Sequence, residues 1–335
     1  MIFKIYMLEK LKNKPFRLNR SELAVPGSRS DFFEKAAQGN SDIVFLDLED
    51  SVAIEKKDQA RINVVEAIEG IDWGKKTLSV RVNSMDTDFF EKDILSLLDT
   101  KNERLDLLML PKVNSDKDVL KLEKVVRQLE KKNKREKRLG FELIIQTAKG
   151  LINVNNIAGA SNRVESLHFG AADFGTSIGA KTMSIGGASN FYGTLSQLHK
   201  KNKKRTLFLN DIWQVALFNI NLAASAHDLR AVDCPYGDFN DNEGFEALAK
   251  SSYSLGFDGK MVIHPNQINI ANKVYSPTKK ELLEAKEMLH IIEKSSQEGK
   301  GAVVFQGKML DIVTVKQAKN IVELHNKIVS RSKND

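Results

Sequence analysis

The feature that most limits how this chain can fold is a rhythm. Short apolar runs end in polar or glycine-rich turns, and each turn leads into a segment of helical composition. Leu23–Val25 opens the series, followed by a Pro-Gly-Ser turn and the helix-like stretch Asp31–Gln38. Asp42–Leu48, Thr77–Val82, Asp106–Leu110, Phe141–Ile145, Leu167–Phe169, Arg230–Asp233 and Gly259–Ile263 read as further strands. Between them, Glu55–Ile68, Asp88–Leu98, Ser115–Glu130, Asp211–His227 and Asn242–Ser254 read as helices, with Ser115 as an N-cap. About eight such alternations before residue 275 predict a parallel (β/α)8 TIM barrel. A doubly wound open sheet would want a G-x-G-x-x-G loop after an early strand, and none occurs, nor does a P-loop. The expected division is a barrel over 18–275 and a C-terminal extension over 276–335. That extension comprises a charged helix at Pro277–Gln297, a strand at Ala302–Phe305, a turn carrying Asp311 and a helix at Thr314–Ser330. An appendage of this length suits a helical lid over the barrel mouth or over a neighbouring subunit.

Composition removes several alternatives. No apolar run approaches the roughly 20 residues of a membrane helix. The basic N-terminal stretch carries Glu9 and lacks the apolar core of a secretory signal, so a cytoplasmic protein is expected. One cysteine, Cys234, allows neither an internal disulfide nor a cysteine-rich zinc site. The net charge of +7 is concentrated in Lys131–Arg138 and Lys200–Arg205. Neither run interleaves aromatic residues, and glutamates break the first, so both read as solvated surface rather than a nucleic-acid patch.

In a parallel barrel the side chains at C-terminal strand ends converge on the ligand site. There the sequence Leu46-Asp47-Leu48-Glu49-Asp50 places three acids, and strand alternation points Asp47 and Glu49 the same way. They fit support of a metal and its waters, or helix capping by Asp50 with a solvated rim. Arg81 ends its strand, where a guanidinium suits a carboxylate or enolate oxygen, or a salt bridge to Asp47 or Glu49. Lys112 follows Pro111 at another strand end. Asp173, after Phe-Gly-Ala-Ala, fits a magnesium ligand in a turn of small residues. Gln146 stands at the end of the strand before it. His168 reads as a hydrogen-bonded core residue, and His264, before Pro265, as a residue facing the site.

Eight stretches together carry a family resemblance: RSELAVPGSR (20–29), FLDLEDSVA (45–53), LSVRVNSMDT (78–87), MLPKV (109–113), FELIIQTAKG (141–150), SLHFGAADF (166–174), DCPYGDF (233–239) and GKMVIHPNQI (259–268). From about residue 18 to 329 the chain resembles the malyl-CoA lyases, of the citrate lyase β-subunit-like group in the HpcH/HpaI aldolase superfamily. The resemblance implies a TIM barrel whose C-terminal extension completes the neighbour's site in a homotrimer or homohexamer. It also implies reversible, Mg²⁺-dependent cleavage (Mn²⁺ as an alternative ion) of L-malyl-CoA to acetyl-CoA and glyoxylate, or of β-methylmalyl-CoA to propionyl-CoA and glyoxylate. By position, Arg81 would hold glyoxylate and the thioester or enolate oxygen, and Asp173 would ligate the metal. Asp311 would be a catalytic acid or base supplied by the neighbour. Ala24, Val25, Ser30, Lys35, Ala172, Ile263 and His264 fall where the family contacts CoA or substrate, and Asp47, Glu49 and Asp50 would stand behind the metal's waters.

One position departs. The family motif reads IIE[TS]A, with its Glu as the second Mg²⁺ ligand, and here that position is Gln146. An amide oxygen can coordinate without charge, so weaker metal binding is expected. The alternatives on the same scaffold are a malyl-CoA thioesterase or a CoA-ester-binding paralogue. Glu142 lies inward but about 13 Å deeper and is no substitute.

Overall fold

The computed structural model describes residues 15–99, 103–182, 185–187, 189, 191–199, 201, 203–297, 303–305, 308–310 and 312–332. Within it the chain divides into two compact units, Met1–Asn272 and Lys273–Asp335.

The first unit is a closed barrel of eight strands: β1 (Ser21–Pro26), β2 (Ile43–Asp47), β3 (Thr77–Arg81), β4 (Leu107–Leu110), β5 (Gly140–Ile145), β6 (Val164–Phe169), β9 (Arg230–Asp233) and β10 (Gly259–Val262). All neighbours pair in parallel, and β10 closes on β1 through Ser21↔Lys260 to Leu23↔Val262. The helices alternate with them: α1 (Phe33–Gln38), α2 (Lys57–Gly70), α3 (Phe90–Leu98), α4 (Asp116–Lys132), α5 (Ala148–Ile152), α6 (Val154–Ala158), α7 (Ala171–Ser177), α8 (Gln214–Ala226), α9 (Asn242–Ser254) and α10 (Pro265–Val274). The TIM-barrel expectation is met, strand for strand. Ser115 does open α4, its backbone N–H donating to Asp118 Oδ2 at 2.9 Å in a capping box.

The barrel is filled in layers, as strand alternation requires. Midway along it Phe45, Met109, Ile144, Val232 and Met261 form an apolar cluster, with Ala24 packed against them. Two residues earlier along β5 stands Glu142, and two residues later Gln146, so a polar layer lies on each side of the apolar one.

Two features were not legible in the sequence. After the Gly/Ser-rich stretch expected as a loop at 176–190, β7 (Gly193–Leu195) and β8 (Leu207–Leu209) form an antiparallel hairpin outside the barrel. Its second strand is exposed throughout. Three-residue strands carry too little alternation to be read from residues alone. The first basic run is also partly structural: Lys131 and Lys132 end α4, and Lys137 Nζ pairs with Asp106 at 2.8 Å.

The second unit contains α11 (Lys279–Gln297), the antiparallel pair β11 (Val303–Phe305) and β12 (Lys308–Leu310), and α12 (Ile312–Ser332). Asp311 lies outside the described residues. No helix among the described residues is long and apolar enough to cross a membrane.

Candidate active site

Five consecutive strands deliver polar side chains to the C-terminal end of the barrel. Asp47 ends β2 and Arg81 ends β3, in register with one another. The pairing is bidentate: Arg81 Nε and Nη2 donate to Asp47 Oδ1 and Oδ2, both at 2.6 Å. Asp47 also accepts from the backbone N–H of Glu49 at 2.9 Å and of Ser51 at 3.1 Å. Burial works against the Asp47 carboxylate, but the Arg81 charge and these donors outweigh it and hold the carboxyl below its usual range. Burial likewise opposes the Arg81 charge, yet Asp47, Glu49 and Asp50 keep the guanidinium raised. The salt-bridge and ligand readings of Arg81 are therefore compatible. Its fork offers five N–H bonds; two go to Asp47 and one faces Glu49 Oε2 at 3.3 Å, which leaves donors to offer. The guanidinium lies 5.7 Å above the Phe45 ring, so Phe45 is the floor beneath it.

Glu49 is buried beside this pair. Its Oε1 is 2.9 Å from Lys112 Nζ, but neither carboxylate oxygen receives a hydrogen bond in good geometry. Burial, with Asp50 adding to it and Arg81 and Lys112 opposing, pushes its carboxyl up to about 7. Lys57, at the start of α2, reaches back and donates to the carbonyls of Leu48 and Glu49, both at 2.8 Å. It fixes the turn that carries the acids. The sequence reading missed Lys57, whose only signal is a lysine opening the helix that follows an acidic strand end. Asp50 is exposed and pairs at 3.6 Å with Lys112.

Gln146 and Asp173 meet across the next two strand ends, Gln146 Nε2 donating to Asp173 Oδ2 at 2.5 Å. Gly170 makes this approach feasible. A Cβ there would lie 2.5 Å from the Gln146 Cβ, so any larger residue would push the two strand ends apart. Asp173 is the third residue of α7 rather than part of a turn; Gly-Ala-Ala starts the helix sooner than expected. Behind it Phe174, Phe169 and Trp213 pack edge to face, with centroids 5.4 to 6.3 Å apart. Burial and the nearby Asp50 raise the Asp173 carboxyl. Thr147 caps the short α5 by accepting from Gly150 N–H at 2.9 Å and donates to Asn114 Oδ1 at 2.6 Å.

The donor set fits a divalent cation. Asp173 and the Gln146 amide are hard oxygen donors side by side, once the amide turns its oxygen rather than its nitrogen inward. Glu49 adds two buried oxygens with no directed partner. A second trio has metal-like spacing, Glu22, Glu142 and His168, but it lies fully buried below the apolar layer. Glu142 there accepts from Ser79 at 2.7 Å and Ser166 at 3.2 Å, and Arg230 Nη2 stands 3.6 Å away. That arginine already supplies the positive charge a cation would bring. His168, bonded to Ser166 at 3.0 Å, is the core residue expected.

The remaining expected contacts are spread over β1, the turn and helix that follow it, the start of α7 and the turn after β10, with Ala24 against the mid-barrel apolar cluster. Ala24 is half-buried and Val25 buried on β1; Ser30 and Lys35 are exposed in the turn and helix that follow. Arg29 lies over the Phe32 ring at 3.8 Å, with Lys35 Nζ at 5.7 Å. Ala172 is exposed at the start of α7. After β10, Ile263 is exposed, and His264 stacks on Phe239 with centroids 4.8 Å apart. Phe239 was not singled out from the sequence.

Comparison with known proteins identifies the relatives of this chain. A family model described as HpcH/HpaI aldolase/citrate lyase matches residues 20–265. The chain is 44% identical over 309 residues to the L-malyl-CoA/beta-methylmalyl-CoA lyase of Cereibacter sphaeroides (strain ATCC 17025 / ATH 2.4.3), covering 92% of this chain and 95% of that protein. It is 33% identical to the malyl-CoA/beta-methylmalyl-CoA/citramalyl-CoA lyase of Chloroflexus aurantiacus, covering 87% of this chain and 82% of that one. Among solved structures, protein CitE from Mycobacterium tuberculosis, in complex with magnesium, acetoacetate and coenzyme A, superposes with a TM-score of 0.67. It is 26% identical and covers 90% of this chain and 96% of its own.

Proposed function

The chain belongs to the HpcH/HpaI aldolase/citrate lyase family, and we propose that it is a Mg²⁺-dependent carbon–carbon lyase. It cleaves L-malyl-CoA reversibly to acetyl-CoA and glyoxylate, with β-methylmalyl-CoA, giving propionyl-CoA and glyoxylate, as a second substrate. The observation that carries this reading is a coincidence of sequence and geometry. A chain 44% identical to an L-malyl-CoA lyase over nine-tenths of its length gathers a clamped arginine and an aspartate–amide pair at one barrel end.

In cleavage, the substrate hydroxyl gives up its proton, its oxygen becomes the aldehyde of glyoxylate, and the electrons of the broken C–C bond pass to the thioester as an enolate. A proton delivered to that enolate yields the acetyl-CoA methyl. The remaining Arg81 donors orient the glyoxylate portion or meet the oxygen that gains charge. Asp47 holds the guanidinium in one plane, so little reorganisation is needed when the charge develops. Asp173 and the Gln146 amide oxygen would hold Mg²⁺ (or Mn²⁺), which would supply Lewis-acid polarisation of substrate oxygens. Glu49 and Asp50 would stand behind it and accept from its waters. Ala24, Val25, Ser30, Lys35, Ala172, Ile263 and His264 line the approach for CoA and substrate, with the Lys35 ammonium suited to a phosphate. Asp311, from a neighbouring subunit of a homotrimer or homohexamer, moves the proton, and the enzyme works in the cytoplasm.

The test is to incubate purified protein with L-malyl-CoA and Mg²⁺, with and without chelator. Glyoxylate release that chelator abolishes is the expected result. Malate and CoA without glyoxylate would make the protein a thioesterase on the same scaffold, and no product would make it a CoA-ester binder.

A further inference from the structure

We propose that Lys112 is a tethered counter-cation for the acids at the barrel mouth, and that a divalent cation binding there must compete with it. The inference rests on the reading that Asp173 and Gln146 take Mg²⁺.

Three observations lead to it. The first is the backbone. Lys112 is in the left-handed region with φ 54°, where a residue with a Cβ is strained and glycine is usual. The strain is held by neighbours: the Lys112 carbonyl accepts from Asn114 Nδ2 at 3.0 Å, and Asn114 Oδ1 accepts from Thr147, which follows Gln146. The turn after β4 is thus tied to the strand end that carries the amide. Strain held in place at a ligand site points to a side chain whose position matters. Lys134 and Lys203 adopt the same conformation at exposed positions; what sets Lys112 apart is that its turn is tied to the strand end of Gln146.

The second observation is what the side chain reaches. Its ammonium is 2.9 Å from Glu49 Oε1 and 3.6 Å from Asp50 Oδ1, and its field also acts on Asp173. Glu49 is 4% exposed, lacks a directed hydrogen bond, and is paired by charge alone. Its other cation, Arg81, is shared: two of its N–H bonds go to Asp47 and Nη1 stands 3.3 Å from Glu49 Oε2.

The third is the charge balance. Asp47, Glu49, Asp50 and Asp173 face Arg81, Lys112 and Lys57. With every acid ionised, as cation binding requires of Glu49, four acids against three bases leave one net negative charge. A divalent ion would turn that into a net positive one, unless the one cation with a flexible stem and partial exposure swings away. Lys112 is that cation: its side chain is 34% exposed, against 17% for Arg81, and Lys57 is buried. The protein therefore keeps its acids neutralised when no metal is bound, at the expense of metal affinity.

The experiment is calorimetric titration of Mg²⁺ into the full-length protein and into Lys112→Met and Lys112→Arg, alongside Lys112→Gly. Methionine keeps the stem and the backbone strain and removes only the charge. It should tighten Kd by about tenfold, and the gain should shrink as salt screens the lost repulsion. Lys112→Arg should return Kd to the wild-type value. Lys112→Gly should tighten binding as methionine does, showing that charge and not strain sets the affinity. A structural role alone could weaken binding but not strengthen it. Unchanged or weaker binding in Lys112→Met, with measurable wild-type binding, overturns the proposal and leaves the metal reading intact. Absence of binding in wild type and all variants overturns the metal reading itself, and the proposal with it.

Discussion

The barrel holds two groups of carboxylates, one above its apolar layer and one below, and they differ in kind. Below, Glu142 accepts from Ser79 and Ser166 and lies within reach of Arg230 and His168, while Glu22 accepts from Asn19 at 2.8 Å. Burial would raise Glu142, but His168, Arg230 and Ser79 hold it low; burial and the Glu142 charge drive Glu22 well up. One member of the pair is thus kept charged and the other neutral, as expected where two acids share a dry site. Above, Glu49 has charges near it but no directed hydrogen bond, and Asp173 is half-buried with an amide beside it. Both groups contain acids on facing strands. What separates them is access: each group has an arginine and buried polar atoms without a directed partner, but the lower acids are fully buried beneath Phe45, Met109, Ile144, Val232 and Met261, whereas Asp50 and Asp173 above are exposed or half-buried. Spacing alone selects the lower trio, whereas access favours the upper pair proposed for the metal.

The contrast implies that the upper acids set activity and the lower ones stability. Asp173→Asn should have the largest effect, lowering kcat/KM for glyoxylate release by about 10²–10³-fold with little change in the urea midpoint. Activity within a few fold of wild type would remove Asp173 from the site. Next, Glu142→Gln should cost about 3 kcal/mol in urea unfolding, because it removes one of the two carboxylates that face Arg230, the other being Glu165, and the acceptor of the Ser79 and Ser166 hydroxyls in a dry site, while the activity of the folded fraction is preserved. A stable but inactive Glu142→Gln would break the division between the two groups.

Gln146→Glu sharpens the upper half of the comparison. It should tighten Mg²⁺ by about tenfold and raise or leave unchanged the lyase rate. Abolished activity would instead give the amide its own chemical role. The smallest effect tests the neutral acid below. A carboxyl raised in the folded state favours folding at low pH and disfavours it as pH climbs through and above the ordinary value of 4.5. Glu22→Gln removes that dependence. Its melting temperature relative to wild type should therefore rise by a few degrees between pH 5 and pH 8; a difference that stays flat over that range would mean that Glu22 is ionised in the fold.

Much of the upper site was legible in the residues. Asp47 and Glu49 were placed on one side by alternation, and both do face Arg81. Arg81 and Lys112 drew notice because charged residues interrupt or close otherwise apolar strands. The lower network was less legible, because a glutamate inside an apolar run such as Phe141–Ile145 has the same signature wherever along the barrel axis it falls. Only the stagger of eight strands decides which partners it meets. Lys57 and Phe239 escaped notice because their roles depend on where a helix start and a loop return in space.

The sequence by itself determined the class of fold, since eight strand–helix alternations without a dinucleotide or phosphate loop leave few closed architectures, and it determined which strand ends carry acids, amide and arginine. It also marked Gln146 as the one unusual residue among them. Tertiary structure alone decided how those groups neutralise one another: that Arg81 clamps Asp47, that Gly170 lets Gln146 reach Asp173, and that a strained Lys112 stands over Glu49. The physical reason is range. Periodicity is written in neighbours two to four residues apart, whereas charge balance is settled across strands some 30 residues apart, within a few ångströms that only the closed barrel fixes.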